Sequence, residues 1–139
     1  MFQIKLNLSH LKIPEYPVVW RILGMGLLLG LLVLSLLPIK PLMGFKLEDK
    51  AAHFAAYCVL SLYHLQVYPK KTIWTILFLS GFGVTMELLQ SLTTYRSFEV
   101  WDIVANMTGI FGGLGLVFTP LGQSLKWIEK SWNRKNEAK

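Results

Sequence analysis

Long uninterrupted apolar stretches constrain this chain more than any other feature of its sequence. A helix of about twenty apolar residues crosses a hydrocarbon core of roughly 30 Å, and inside that core every backbone N–H and C=O must be satisfied within the segment. Residues 18–37 form one such stretch, rich in leucine, with Gly24, Gly26 and Gly30 leaving a small surface for close helix packing. Further stretches cover 49–68, 72–92 and 100–118, the last carrying Gly109, Gly112, Gly113 and Gly115. The pattern predicts an all-α polytopic membrane protein, a bundle of about four transmembrane helices.

The breaks between stretches are chemically clear. Pro38 and Pro41 close the first, Pro69 the second and Pro120 the fourth, because proline lacks the N–H that would continue a helix. Residues 1–17 mix Phe2, Ile4, Leu6 and Leu8 with polar side chains and read as an interfacial lead-in; 38–48 and 93–99 read as outer loops and 69–71 as an inner loop. Residues 119–139 set Leu121, Leu125, Ile128 and Trp132 at helical spacing among Lys126, Lys130, Arg134 and Lys135. That is the pattern of a basic amphipathic helix on an anionic surface.

Composition agrees with lipid as the solvent: 53% of residues are hydrophobic and 16% charged over a chain of 139. The net charge of +6 lies in short segments around the apolar runs rather than along one soluble face, so anionic lipid headgroups, not nucleic acid, are the expected partner. Lys5, Lys12 and Arg21 precede the first run as they would in a signal peptide, yet residues 34–38 offer no small-x-small cleavage pattern, and an uncleaved anchor is expected. The single cysteine, Cys58, lies in an apolar run and reads as packing. Basic flanks stay cytoplasmic. Ten of the 14 Lys and Arg residues fall on one side of this topology and only Lys40, Lys46, Lys50 and Arg96 on the other, which predicts that both termini are cytoplasmic.

The unusual polar residues gather at the outward ends of the later spans. Asp49, His53 and Tyr57 recur every four residues, so one helix face carries all three, with Lys50 beside them. Glu87 and Gln90 lie three apart near the end of the third span, Arg96 and Ser97 occupy the loop, and Asp102 and Asn106 begin the fourth. A charge buried in lipid costs about 2.5–3.5 kcal/mol even on lenient scales, so such residues face a protein interior or a wet cavity. Glu87, about a turn and a half below the loop, needs a partner, for which Arg96, Lys50 and His53 are the candidates.

The ordered set Asp49-Lys50-x-x-His53-Phe54-x-x-Tyr57, Glu87-x-x-Gln90, Arg96, and Asp102-x-x-x-Asn106-x-x-Gly109 resembles the VanZ-like membrane proteins, named for a protein associated with teicoplanin resistance. The resemblance covers residues 49–115. It implies a bacterial cytoplasmic membrane protein acting at the outer leaflet on lipid-linked cell-wall precursors, or on how glycopeptide antibiotics reach them.

Each residue also has a plainer reading. Asp49 and Lys50 suit a helix start at the interface. His53 is either a neutral histidine satisfied by a neighbour or a proton carrier. Glu87 is either half of a structural ion pair or, with His53 and Asp102, a candidate for proton transfer. Arg96 and Lys50 suit a phosphate clamp, and Asp49, Tyr57, Gln90 and Asn106 complete the expected binding set. Trp20, Trp74, Trp101 and Trp127 read as an interfacial belt, and His64, without polar company, as structural. Asp49, His53, Glu87 and Asp102 have donor types that suit several divalent ions, but no compact motif such as H-E-x-x-H is present, and no metal or cofactor is expected. Two functions compete: an outward site for an anionic lipid-linked substrate, and a non-catalytic ion-pair lock shaping a partner surface. A transporter path is disfavoured because the inner halves of the spans hold little polar chemistry.

Overall fold

A computed structural model describes Leu8, residues 10–37 and residues 48–137, with the side chains of Glu48 and Asp49 excepted. The expected outer loop 38–47, with Lys40 and Lys46, and the side chain of Asp49 lie outside the described residues. The fold is all-helical among the described residues. The helices are α1 (Pro17–Leu36), α2 (Glu48–Val67), α3 (Thr72–Ser91), α4 (Val100–Leu116) and α5 (Ser124–Glu137), with single 3-10 turns at Pro69–Lys71 and Pro120–Gln123.

Proline at the first turn starts α1 and both 3-10 turns, where its missing N–H has no intrahelical partner to lose. Of the α1 residues only Gly24 and Leu28 are buried, while Ile22, Met25, Leu29 and Leu34 stand bare. A helix this apolar and this uncovered is matched to hydrocarbon rather than water. Two segments, Pro17–Leu36 and Pro69–Ser91, are long and apolar enough to cross a membrane. A third counts if Val100–Leu116 and Pro120–Glu137, bent by 79° at their break, form one span.

α2 touches α1, α3 and α4, and packs most extensively on α4. Gly109 and Gly113 make that contact possible: a Cβ on either would collide with the carbonyl of Phe54 or of Cys58 in α2. The Ser61 hydroxyl donates to the Ile110 carbonyl at 2.9 Å across the same seam. Leu28, Tyr57, Leu60, Leu79 and Ile110 form the core where the four long helices meet.

The far end of the bundle is closed by the described part of the lead-in and by α5. Leu8 and Leu11 pack with Leu65 and Val117, and Gln66 holds the start of α5 by accepting from the Leu125 N–H at 3.1 Å. Glu129, only 3% exposed, accepts from the Glu15 N–H, the Tyr16 N–H and the Trp20 indole at 3.0, 3.1 and 2.8 Å, with Lys126 at 3.9 Å. Burial opposes its charge, but these donors and Lys126 together hold the carboxyl below its ordinary value. The protein-facing side of α5 is therefore Leu125 and Glu129. Leu121, Ile128 and Trp132 stay exposed, and the described part of the lead-in packs on the tail.

Candidate functional site

The polar residues of α2, α3 and α4 meet where α2 and α4 begin and α3 ends. Helical spacing brings His53 and Tyr57 to one face of α2, Gly83, Glu87 and Gln90 to one face of α3, and Asp102, Asn106 and Gly109 to one face of α4. Glu87, Asp102 and Asn106 are 1%, 3% and 0% exposed, so three polar side chains lie essentially out of contact with solvent.

Within the cluster, His53 Nδ1 lies 3.0 Å from Asn106 Oδ1 and 4.0 Å from Glu87 Oε1, and His53 Nε2 lies 3.6 Å from Asp102 Oδ2. Asp102 turns its other oxygen outward, where Oδ1 accepts from Lys50 Nζ at 2.9 Å. Lys50 also reaches Glu99 at 2.8 Å. The Tyr57 hydroxyl, Glu87 Oε1 and Asn106 Nδ2 are buried without a hydrogen-bond partner among the described residues. Gly83 sits beside two of them, since a Cβ there would come within 3.3 Å of Asn106 Nδ2 and of the Tyr57 hydroxyl. The site thus combines two carboxylates and an imidazole with donors whose capacity is unused, in a setting where each polar contact is strong.

A groove opens beside the cluster between α1, α2 and α3. Its volume is about 260 Å³; Leu31, Leu34, Ala52, Ala56 and Met86 form apolar walls, and His53, Tyr57, Gln90 and Arg96 line its polar part.

Not every residue of the expected set points into the cluster. Gln90 donates to the Ser35 carbonyl at 3.2 Å, Arg96 donates to the same oxygen at 3.2 Å, and the Tyr95 hydroxyl donates to the Leu36 carbonyl. These three cap the carbonyls that the end of α1 leaves open. Gln90 is thereby a fastening between α3 and α1, whereas Arg96 makes that contact and also borders the groove. His64, 5% exposed, lies with Nδ1 2.9 Å from the carbonyl of Leu60, one turn back, a structural setting. Three participants escape a sequence reading: Glu99, which shares Lys50; Ser35, which contributes a main-chain oxygen; and Glu129 at the opposite end. The offset from Glu99 to Asp102 is a weak signal for the first, and nothing local marks the others.

The class these observations define is an all-helical protein with two or three helices able to cross a membrane and a buried carboxylate and imidazole cluster at one end of its bundle. No family model matches the chain. An uncharacterized protein of the fission yeast Schizosaccharomyces pombe is 34% identical over 84 residues, covering 57% of this chain and 52% of that protein. The chain thus spans about half the length of that relative. No solved structure matches.

Proposed function

We propose that this chain is a VanZ-like integral membrane protein that crosses the bilayer four times with both termini cytoplasmic, and that its outward polar site engages the phosphate-bearing head of a lipid-linked envelope substrate. The observation that carries the reading is the juxtaposition of groove and cluster. An apolar channel bounded by Leu34, Ala52, Ala56 and Met86 runs onto His53, Tyr57 and Arg96, as an amphiphile with an anionic head requires. Tyr57 O–H and the Asn106 amide offer donors to an anionic oxygen, Arg96 offers a charge, and Glu87, His53 and Asp102 supply groups for proton transfer. Fourfold crossing is supported by the four long helices and by the flanking positive charge.

On this reading any link to glycopeptide resistance acts through occupancy of the lipid head. The alternative, a non-catalytic lock, draws on Gln90 and Arg96, whose shared hold on Ser35 is structural.

The test fills the groove in one variant and alters the cluster's charge in another. Ala52 is exposed on the groove wall, so Ala52→Phe obstructs the channel while leaving the polar residues intact. Purified protein in detergent, titrated with a short-chain polyprenyl phosphate under native mass spectrometry, is expected to bind one lipid per chain, with occupancy falling at least tenfold in Ala52→Phe and in Lys50→Ala. Equal occupancy in wild type and both variants contradicts the reading.

A further inference from the structure

Three side chains from three helices converge on one point. A ring nitrogen of His53 and one oxygen each of Glu87 and Asp102 all lie within 4.8 Å of one another, and both carboxylates are buried. Asp102 and His53 are each held from behind by a neighbour. Lys50 takes Asp102 Oδ1 at 2.9 Å, which leaves Oδ2 turned toward His53. Asn106 Oδ1 stands 3.0 Å from His53 Nδ1. An amide oxygen only accepts, so His53 Nδ1 donates in that contact, while Nε2 lies 3.6 Å from Asp102 Oδ2. Glu87 Oε1 is buried without a hydrogen-bond partner among the described residues and lies 4.0 Å from the same ring.

Two buried carboxylate oxygens this close repel one another unless positive charge lies between them, and Glu87 Oε1 has no hydrogen bond among the described residues to offset its burial. We infer that His53, Glu87 and Asp102 bind a first-row divalent cation, of which Zn²⁺ and Mn²⁺ suit the donors best. One imidazole with two carboxylates is a mixed nitrogen and oxygen set, which favours these ions over Mg²⁺ and Ca²⁺, whose shells are built from oxygen. Metal–ligand bonds of about 2.0–2.2 Å place ligand atoms roughly 3.3–3.6 Å apart in a tetrahedral shell, so closure around an ion draws the groups in by about 1 Å. Three protein ligands leave a position open, as in sites where a metal holds an exchangeable oxygen. Asn106 and Lys50 then orient the ligands, as hydrogen-bonded outer partners of metal sites do.

The inference concerns the same site as the lipid-head reading but does not depend on it: a bound ion takes the lone pairs of His53, Glu87 and Asp102 in place of proton transfer and leaves the groove's hold on an anionic head as proposed, and its test contains no lipid. Full-length, tag-free protein is stripped with a chelator in detergent and titrated with Mn²⁺, with free ion followed by electron paramagnetic resonance. One Mn²⁺ per chain is expected, displaced by equimolar Zn²⁺ and retained in hundredfold excess Mg²⁺. His53→Ala and Glu87→Gln should each weaken binding at least tenfold, and Asn106→Ala about 10- to 100-fold. Electron spin echo modulation of the wild-type complex should report one imidazole nitrogen, a readout that survives if a variant fails to fold. The inference is overturned by absence of stoichiometric binding, by binding that persists in both His53→Ala and Glu87→Gln, or by a bound ion without a nitrogen ligand. A histidine that holds only a proton between the carboxylates gives the first of these results.

Discussion

Glu87 illustrates how the cluster sets function against stability. Its carboxylate is 1% exposed, with Oε1 lacking a hydrogen bond among the described residues, and a buried polar group in that condition costs about 1–3 kcal/mol. Replacing it with the isosteric amide removes the charge and keeps the shape. In chelator-stripped protein, Glu87→Gln is therefore expected to melt higher than wild type, by roughly 1–2 kcal/mol in stability. The same substitution should abolish the site's ligand binding. Thermal unfolding followed by circular dichroism checks the first outcome, and a lower melting temperature would mean that Glu87 is a structural ion-pair partner. Lys50 differs on its two sides: its pair with exposed Glu99 is screened by water, whereas its pair with buried Asp102 is not, so Lys50→Ala should lower the melting temperature and Glu99→Gln should barely move it.

Among the elements, the packing of α2 on α4 has the narrowest tolerance. A Cβ at Gly109 or Gly113 meets backbone, which cannot swing aside, so Gly109→Ala and Gly113→Ala should each destabilise by about 1–3 kcal/mol. Gly81→Ala and Gly115→Ala, where nothing lies within 4 Å, should be neutral or stabilise by up to ~1 kcal/mol through helix propensity. Comparing the four melting curves in one detergent decides the point; equal losses at all four would dissolve the close-approach argument. This seam also shows what sequence reading reaches. Helical spacing puts His53 with Tyr57, and Asp102 with Asn106, on shared helix faces, and the packing of α2, α3 and α4 turns those faces and Glu87 toward one another. The same spacing placed Gln90 with Glu87, yet its amide instead fastens the end of α1. The partner there is the Ser35 main-chain oxygen, and no side-chain pattern encodes where a helix end will lie. Asp49 shares the spacing, but its side chain lies outside the described residues.

For the whole molecule, the end opposite the cluster is closed by contacts far apart in sequence. Glu129 binds the main chain 113 and 114 residues away, so the apolar spacing of α5 drew attention to Ile128 and Trp132 while the buried anchor went unmarked. Its folded pKa is lowered from 4.5, so its contribution to stability is fully present above about that pH and is lost as pH falls through the lower folded value. Acid unfolding should accordingly begin below pH 4.5 with release of the lead-in from α5, followed by Trp20 fluorescence against a background with the other tryptophans replaced, and Glu129→Gln should flatten that part of the profile. An unchanged profile in Glu129→Gln would assign the acid transition elsewhere. The proposed topology makes a separate demand. With Cys58 replaced by serine, a membrane-impermeant maleimide added to intact cells should label Ser97→Cys and leave Asn136→Cys untouched; the reverse pattern would invert the orientation.

On the proposed orientation the two ends fit one scheme, in which a tied cytoplasmic end would hold the helices while the groove and its polar head would face outward. Its central claim is that one amphiphile occupies groove and cluster together. Photocrosslinking tests this most directly, using a polyprenyl phosphate with a diazirine in its first isoprene units and full-length protein in nanodiscs, with modified peptides mapped by mass spectrometry. The expected result is labelling concentrated at Leu34, Ala52, Ala56 and Met86, suppressed by excess unlabelled polyprenyl phosphate and lost in Ala52→Phe. Labelling spread evenly over the bare faces of α1 and α3, or undiminished by competitor and by Ala52→Phe, would contradict it.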